Sequence, residues 1–176
     1  MRALKADEIE VRIGQIYEKG VTMLLYKTAR TDMAILDEVY GALNWQKQYR
    51  RDENGNLYCG IAVWNNAIKQ WVVKEDCGTE SNTEKEKGEA SDAMKRAGFN
   101  WGIGRELYTA PFIWLTVATV PNGKGGYRLN NPRELNGIYV SSITTEERDG
   151  RLKITALELS QRAQNKAMVV YSWKER

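Results

Sequence analysis

The amino-acid sequence predicts an α+β protein: an antiparallel β-β-β meander packed on a long helix, followed by a C-terminal β-hairpin extension. Three observations carry that expectation. Apolar and polar side chains alternate with period two through 45–51, 57–64 and 70–77, with turn residues between the runs. A helical stripe of mostly small residues follows at Ala90, Ala93, Met94, Ala97 and Trp101. Strand patterns then return at 138–147, 151–159 and 168–173. No repeat, linker or change of composition interrupts the 176 residues, so a single domain over 1–176 is expected.

In chain order, residues 5–19 read as an amphipathic helix. Asp7 and Glu10 have capping-box spacing, and Ile9, Ile13, Ile16 and Tyr17 fall on one helical face. A second helix is expected over 31–40, capped by Thr31 or Asp32 and stopped by Gly41. The turn Asp52-Glu53-Asn54-Gly55-Asn56 joins the first two meander strands, because Asn-Gly readily takes positive φ. Asn65-Asn66 opens the next turn. Ser81 or Thr83 caps the helix that ends near Gly98, with Glu84, Lys85, Glu86 and Lys87 solvated. Residues 112–119 read as a strand, 121–131 as a Gly/Asn-rich loop, and Asp149-Gly150 as the tip of the late hairpin.

Composition removes whole classes of chemistry. The chain has no histidine, which excludes Ser-His and Cys-His catalysis, His-ligated zinc and histidine proton shuttles. Two cysteines, Cys59 and Cys77, cannot build a four-cysteine zinc site, and both read as small buried hydrophobes. Gly102-Ile103-Gly104 follows a helix instead of opening one, so it turns the chain and does not cradle phosphate. Glu75-Asp76 and the Glu89/Asp92 pair could in principle hold magnesium for a nuclease, but a strand end and a solvated helix face account for them better. No catalytic residue, metal or cofactor is therefore expected. The opening MRALKADEIEVR lacks the apolar core of a signal peptide, and no run of apolar residues reaches the length of a membrane span, so a soluble cytoplasmic protein is expected.

Charge is nearly balanced at +3, but it is unevenly placed. Residues 76–92 hold Asp76, Glu80, Glu84, Glu86, Glu89 and Asp92 against Lys85 and Lys87. Residues 93–133 hold Lys95, Arg96, Arg105, Lys124, Arg128 and Arg133 against Glu106. A basic stretch near aromatics suits a polyanion. Trp45, Lys47, Tyr49 and Arg51 alternate onto one strand face, offering rings for bases and cations for phosphates. Lys95-Arg96 lies toward the C-terminal end of its helix, and Arg105 and Arg128 extend the candidate patch.

The order of these parts resembles the Rad-fifty-two family of DNA single-strand annealing proteins, especially its compact phage-type members. The residues that carry the resemblance are Glu38-Val39-Tyr40-Gly41 leading to Asn44-Trp45, then Glu75-Asp76-Cys77-Gly78 at the end of the meander. Ser91-Asp92-Ala93-Met94-Lys95-Arg96-Ala97 on the following helix and Phe99 complete the set. It covers about 24–108, with the C-terminal strands at about 111–173 outside it. The resemblance implies a non-enzymatic, ATP-independent protein that binds single-stranded DNA and anneals complementary strands in recombination and repair. It implies a homo-oligomeric ring or filament with the DNA backbone in a basic groove, cooperating with a single-strand-binding protein. Lys95 and Arg96 match the family's phosphate-gripping pair. Arg30, placed before the second helix, falls near its groove arginine, and Ala42 stands where the family carries an aromatic. A metal-dependent nuclease and a passive single-strand-binding protein remain the alternatives.

Overall fold

The computed structural model describes residues 1–79, 85–163 and 166–175. After a 3-10 turn at Ala6–Glu8 come β1 (Glu10–Tyr17), β2 (Gly20–Tyr26), α1 (Ala29–Tyr40), β3 (Trp45–Arg51), β4 (Leu57–Asn65), β5 (Gln70–Cys77) and α2 (Lys85–Asn100). A second 3-10 turn at Arg105–Thr109 leads to β6 (Ile113–Leu115), β7 (Thr119–Pro121), β8 (Tyr127–Leu129), β9 (Ile138–Arg148), β10 (Arg151–Ala163) and β11 (Lys166–Lys174). The fold is α+β with antiparallel pairing in every sheet. Among the described residues no helix is long and apolar enough to cross a membrane. The chain groups into two compact units, Met1–Ala3 with Lys27–Arg105, and Leu4–Tyr26 with Glu106–Arg176.

The first unit is the meander with its two helices. Thr28, not Thr31 or Asp32, caps α1: its side chain accepts the Thr31 N–H. The helix therefore starts earlier than expected, and Arg30 sits in its first turn instead of before it. Gly41 stops it at φ 83°. β3 and β4 pair Trp45 with Val63 through to Arg51 with Leu57, and β5 adds Val72 opposite Val63. Asp52 Oδ1 accepts the N–H groups of Asn54 and Asn56 at 3.0 and 2.8 Å, which closes the hairpin while Gly55 takes φ 83°. α2 is a helix of ordinary length, sixteen residues, and the expected caps Ser81 and Thr83 and the neighbouring Glu84 lie outside the described residues. Its Ala93, Met94 and Ala97 are buried, together with Ile35 and Leu36 of α1 and Cys59, Ile61 and Val63 of β4. Each large member of this set stabilises the unit by about 1.5–3 kcal/mol. The small stripe permits close approach: a Cβ on Gly78, just past β5, would lie 2.3 Å from the Glu89 carbonyl of α2. Ile103 is fully buried between Gly102 and Gly104, both at positive φ, so this segment turns the chain.

The second unit holds the sheets β1-β2-β6 and β11-β10-β9 and the hairpin β7-β8. The helix expected over 5–19 is instead a 3-10 turn followed by β1. Ile9, Val11 and Ile13 also satisfy a two-residue period, and a register shift between Ile13 and Ile16 adjusts the pairing beyond Gly14. β-branched residues and a glycine weaken helix, and pairing with Gly20–Tyr26 decides the competition. The strand expected over 112–119 is split into β6, which pairs with β2, and β7, which turns into β8 within the expected loop. Asn122 Oδ1 accepts the Lys124 and Gly126 N–H groups at 2.8 and 3.1 Å, which makes that turn. Asp149 and Gly150, at φ 53° and 69°, form the two-residue tip between β9 and β10 as expected. Val21, Met23, Ile113, Leu115, Val140, Ile154, Leu157 and Leu159 are buried in this unit.

Candidate nucleic-acid interface

The strand period puts Trp45, Lys47, Tyr49 and Arg51 on one face of β3, in register with Val63, Ile61, Cys59 and Leu57 of β4. That face is the one the helices cover. The Trp45 indole N–H donates to Asp37 of α1 at 2.6 Å. Lys47 Nζ lies 3.6 Å from the sulfur atoms of both Met33 and Met94, and 5.9 Å from the centre of the Tyr49 ring. The Tyr49 hydroxyl donates to the Ala90 carbonyl of α2 at 3.4 Å. Burial, with Cys59 beside it, pushes that phenol up to about 12. Arg51 donates to the buried carboxylate of Glu89 at 2.9 and 3.4 Å and to the Gly55 carbonyl at 2.5 Å. The face that the alternation marks as an open platform is thus partly covered: Trp45 is half-buried against α1, while Lys47, Tyr49 and Arg51 touch the helices yet stay exposed at their margin.

On α2, Lys95 and Arg96 each have one carboxylate partner among the described residues. Lys95 Nζ is 3.4 Å from Asp92, three residues earlier, and Arg96 Nε donates to Asp76 of β5 at 3.2 Å. Half of the Arg96 side chain and about a quarter of the Lys95 side chain remain exposed, 49% and 27%. Burial pushes the Asp92 carboxyl up, but hydrogen bonds from the Thr79 hydroxyl and N–H and the nearby Lys95 charge outweigh it and hold the group below its ordinary value. Arg30 on α1 is exposed and makes no hydrogen bond or ion pair among the described residues. Arg105 caps the end of α2, donating to the carbonyls of Phe99 and Asn100 at 2.6 and 2.8 Å. Arg128 lies exposed on β8 and so belongs to the second unit.

Two cations in this unit carry no pattern that the sequence could reveal. Lys74, facing α2, donates to the Asn100 carbonyl at 3.1 Å and sits 4.5 Å over the Trp101 ring. Lys27 is 1% exposed. Its Nζ donates to Asp32 Oδ1 at 2.5 Å and to the Lys95 carbonyl at 2.9 Å, and lies 4.2 Å over Phe99. Asp32 is fully buried and its Oδ2 has no hydrogen-bond partner among the described residues. Burial, opposed by Lys27, pushes its carboxyl up to about 6. The buried pair ties the start of α1 to the backbone of the residue that carries the Lys95 side chain.

The carboxylates do not converge. Glu75 pairs with Arg50, Asp76 with Arg96, Glu89 with Arg51 and Asp92 with Lys95. Among the described residues no three His, Cys, Asp or Glu side chains group in a way that could hold a metal ion. Cys59 is buried, its thiol pushed up by that burial, while Cys77 is only half-buried and donates to the Gly78 carbonyl at 3.3 Å. Searches against protein-family models, curated proteins and solved structures match nothing to this chain.

Proposed function

We propose that the protein binds single-stranded DNA through the cations of α2 and α1 and anneals complementary strands without ATP, acting as a homo-oligomer in recombination or repair. The observation that carries this reading is the adjacent pair Lys95 and Arg96 on α2, each partly exposed and each held by a single carboxylate. Such pairs are weak, about 0–1 kcal/mol, so a phosphate can exchange for the carboxylate at little cost. Gripping phosphates leaves base edges free to pair, and releasing counterions lowers the repulsion between two polyanions. Repetition of the contact around an oligomer multiplies modest affinity per subunit through effective concentration. The Rad-fifty-two resemblance supports the reading because its residues span the helix, meander and helix of the first unit.

The test is the pairing rate of two complementary labelled oligonucleotides in EDTA without ATP, with light scattering on the same sample. Acceleration by a large oligomer is expected. Lys95→Ala with Arg96→Ala should lower strand affinity at least tenfold while the oligomer and the circular dichroism stay unchanged. Undiminished binding by that double variant would remove the assignment. Binding without acceleration would leave a passive single-strand-binding protein.

A further inference from the structure

The opposite face of the same meander is uncovered within its unit and carries a groove along β4. Gly60 and Ala62 form its floor, Gln46, Gln48 and Arg50 of β3 one wall, and Trp71, Val73 and Glu75 of β5 the other. Gly60 keeps it open, since a Cβ there would come 3.3 Å from Val73 Cγ1. The Arg50 guanidinium lies 4.4 Å over the Tyr58 ring and reaches across to Glu75 at 2.5 and 3.1 Å, which closes one end. Near the other end Trp71 is braced edge-on by Trp64, with ring centres 5.6 Å apart, and stays 42% exposed. The amides of Gln46 and Gln48 make no side-chain hydrogen bond to the rest of the described chain.

We propose that this groove receives a nucleobase. Its cavity of about 260 Å³ lies just below the ~300–1,000 Å³ of sites for drug-sized ligands. It combines an apolar floor and an indole with two unspent amides, which suits a planar heterocycle bearing both donors and acceptors. Its charge is internally balanced by the Arg50–Glu75 pair, so it does not select phosphate. The proposal rests on the annealing reading for its biological sense and names a further part of the strand: phosphates at α2, a base on the other side of the sheet.

The experiment compares oligodeoxyadenylate with an abasic phosphodiester strand of equal length by fluorescence anisotropy. The protein should bind the base-bearing strand about tenfold more tightly, the effect of roughly one stacked base. Gln46→Ala with Gln48→Ala, which alters only exposed side chains, should reduce that preference to within about twofold and leave abasic-strand affinity unchanged, as should Gly60→Val, which fills the floor. Lys95→Ala with Arg96→Ala should weaken both strands alike. A base preference that survives both groove variants overturns the proposal, and so does a change of oligomeric state in the glutamine variant without loss of base preference, which would assign the groove to a protein contact. If neither strand binds the unmodified protein, the annealing reading falls by itself. Free adenosine then decides the groove: the Trp71 indole resonance should move on titration and stay fixed in Gly60→Val, and no movement in the unmodified protein overturns the proposal.

Discussion

Replacing Asp32 by Asn isolates the most unusual electrostatic feature of the first unit. Asp32 is 0% exposed, bonded through Oδ1 to Lys27 and unpartnered at Oδ2, and its carboxyl is raised from 3.8 to about 6. A folded state that binds the proton more tightly than the unfolded one gains stability from it at low pH. That contribution is fully present below about 3.8 and is lost as pH rises through about 6. At about 1.4 kcal/mol per tenfold change in proton affinity, it amounts to about 3 kcal/mol between those limits. Asp92, whose carboxyl is held low, works in the opposite direction as pH falls through its own range, so the informative quantity is a difference between proteins. Urea denaturation of the unmodified protein and of Asp32→Asn should be compared from about pH 3 to about pH 7. The stability difference between them should change by about 3 kcal/mol in favour of Asn at the upper end, beyond whatever constant cost arises from leaving Lys27 beside an amide. Two profiles that run parallel within about 0.5 kcal/mol would show that Asp32 does not titrate differently on folding, and the argument from its burial would fail.

Gly78→Ala should cost about 1–3 kcal/mol in thermal or urea denaturation, because its Cβ would lie 2.3 Å from the Glu89 carbonyl and 2.8 Å from the Ala93 nitrogen, both on helix backbone that cannot swing aside. Leu159→Ala, at a fully buried site on β10, should cost about 2–5 kcal/mol, and hydrogen exchange should accelerate in β9 and β11, the strands paired with it. Asp76→Asn removes the carboxylate that competes with phosphate for Arg96. Strand affinity should then rise by up to about fivefold, the worth of one exposed ion pair, and a fall in affinity would mean that Asp76 orients Arg96 for its ligand.

The meander was legible because its signals are local. Trp45–Arg51 and Gln70–Cys77 match their expected limits, and Asp52 to Asn56 closes a turn whose chemistry is written in five residues. The first strand was not, since Ile9, Ile13, Ile16 and Tyr17 fit a helical face while Ile9, Val11 and Ile13 fit a strand, and only the partner β2 breaks the tie. The start of α1 was misplaced for a similar reason. Thr28 and Thr31 are both capping residues, and selection of Thr28 extends the helix so that Lys27, just outside it, can reach Asp32 inside its first turn.

The candidate site was half legible, and the missing half is instructive. A period of two correctly sorts β3 into Lys47, Tyr49 and Arg51 on one side and Gln46, Gln48 and Arg50 on the other. Which side a helix covers is not contained in that period. The basic, aromatic side looked fully open, yet Tyr49 and Arg51, still exposed, reach α2, whereas within its unit no helix lies over the amide side. The covering has a physical reason. Opposite β3 on the basic side stand Cys59, Ile61 and Val63, a continuous apolar row that must be buried, while the other side of β4 offers Gly60 and Ala62 between aromatics. The helices follow the apolar row, and the β3 cations come with it to the margin of the helix layer, where Arg51 meets Glu89 and Lys47 meets Met94. α2 then supplies two further cations, Lys95 and Arg96, from a turn whose inner side is Ala93, Met94 and Ala97. The same apolar requirement that hides one strand face therefore sets the helix register that presents the pair on which the proposed DNA contact depends.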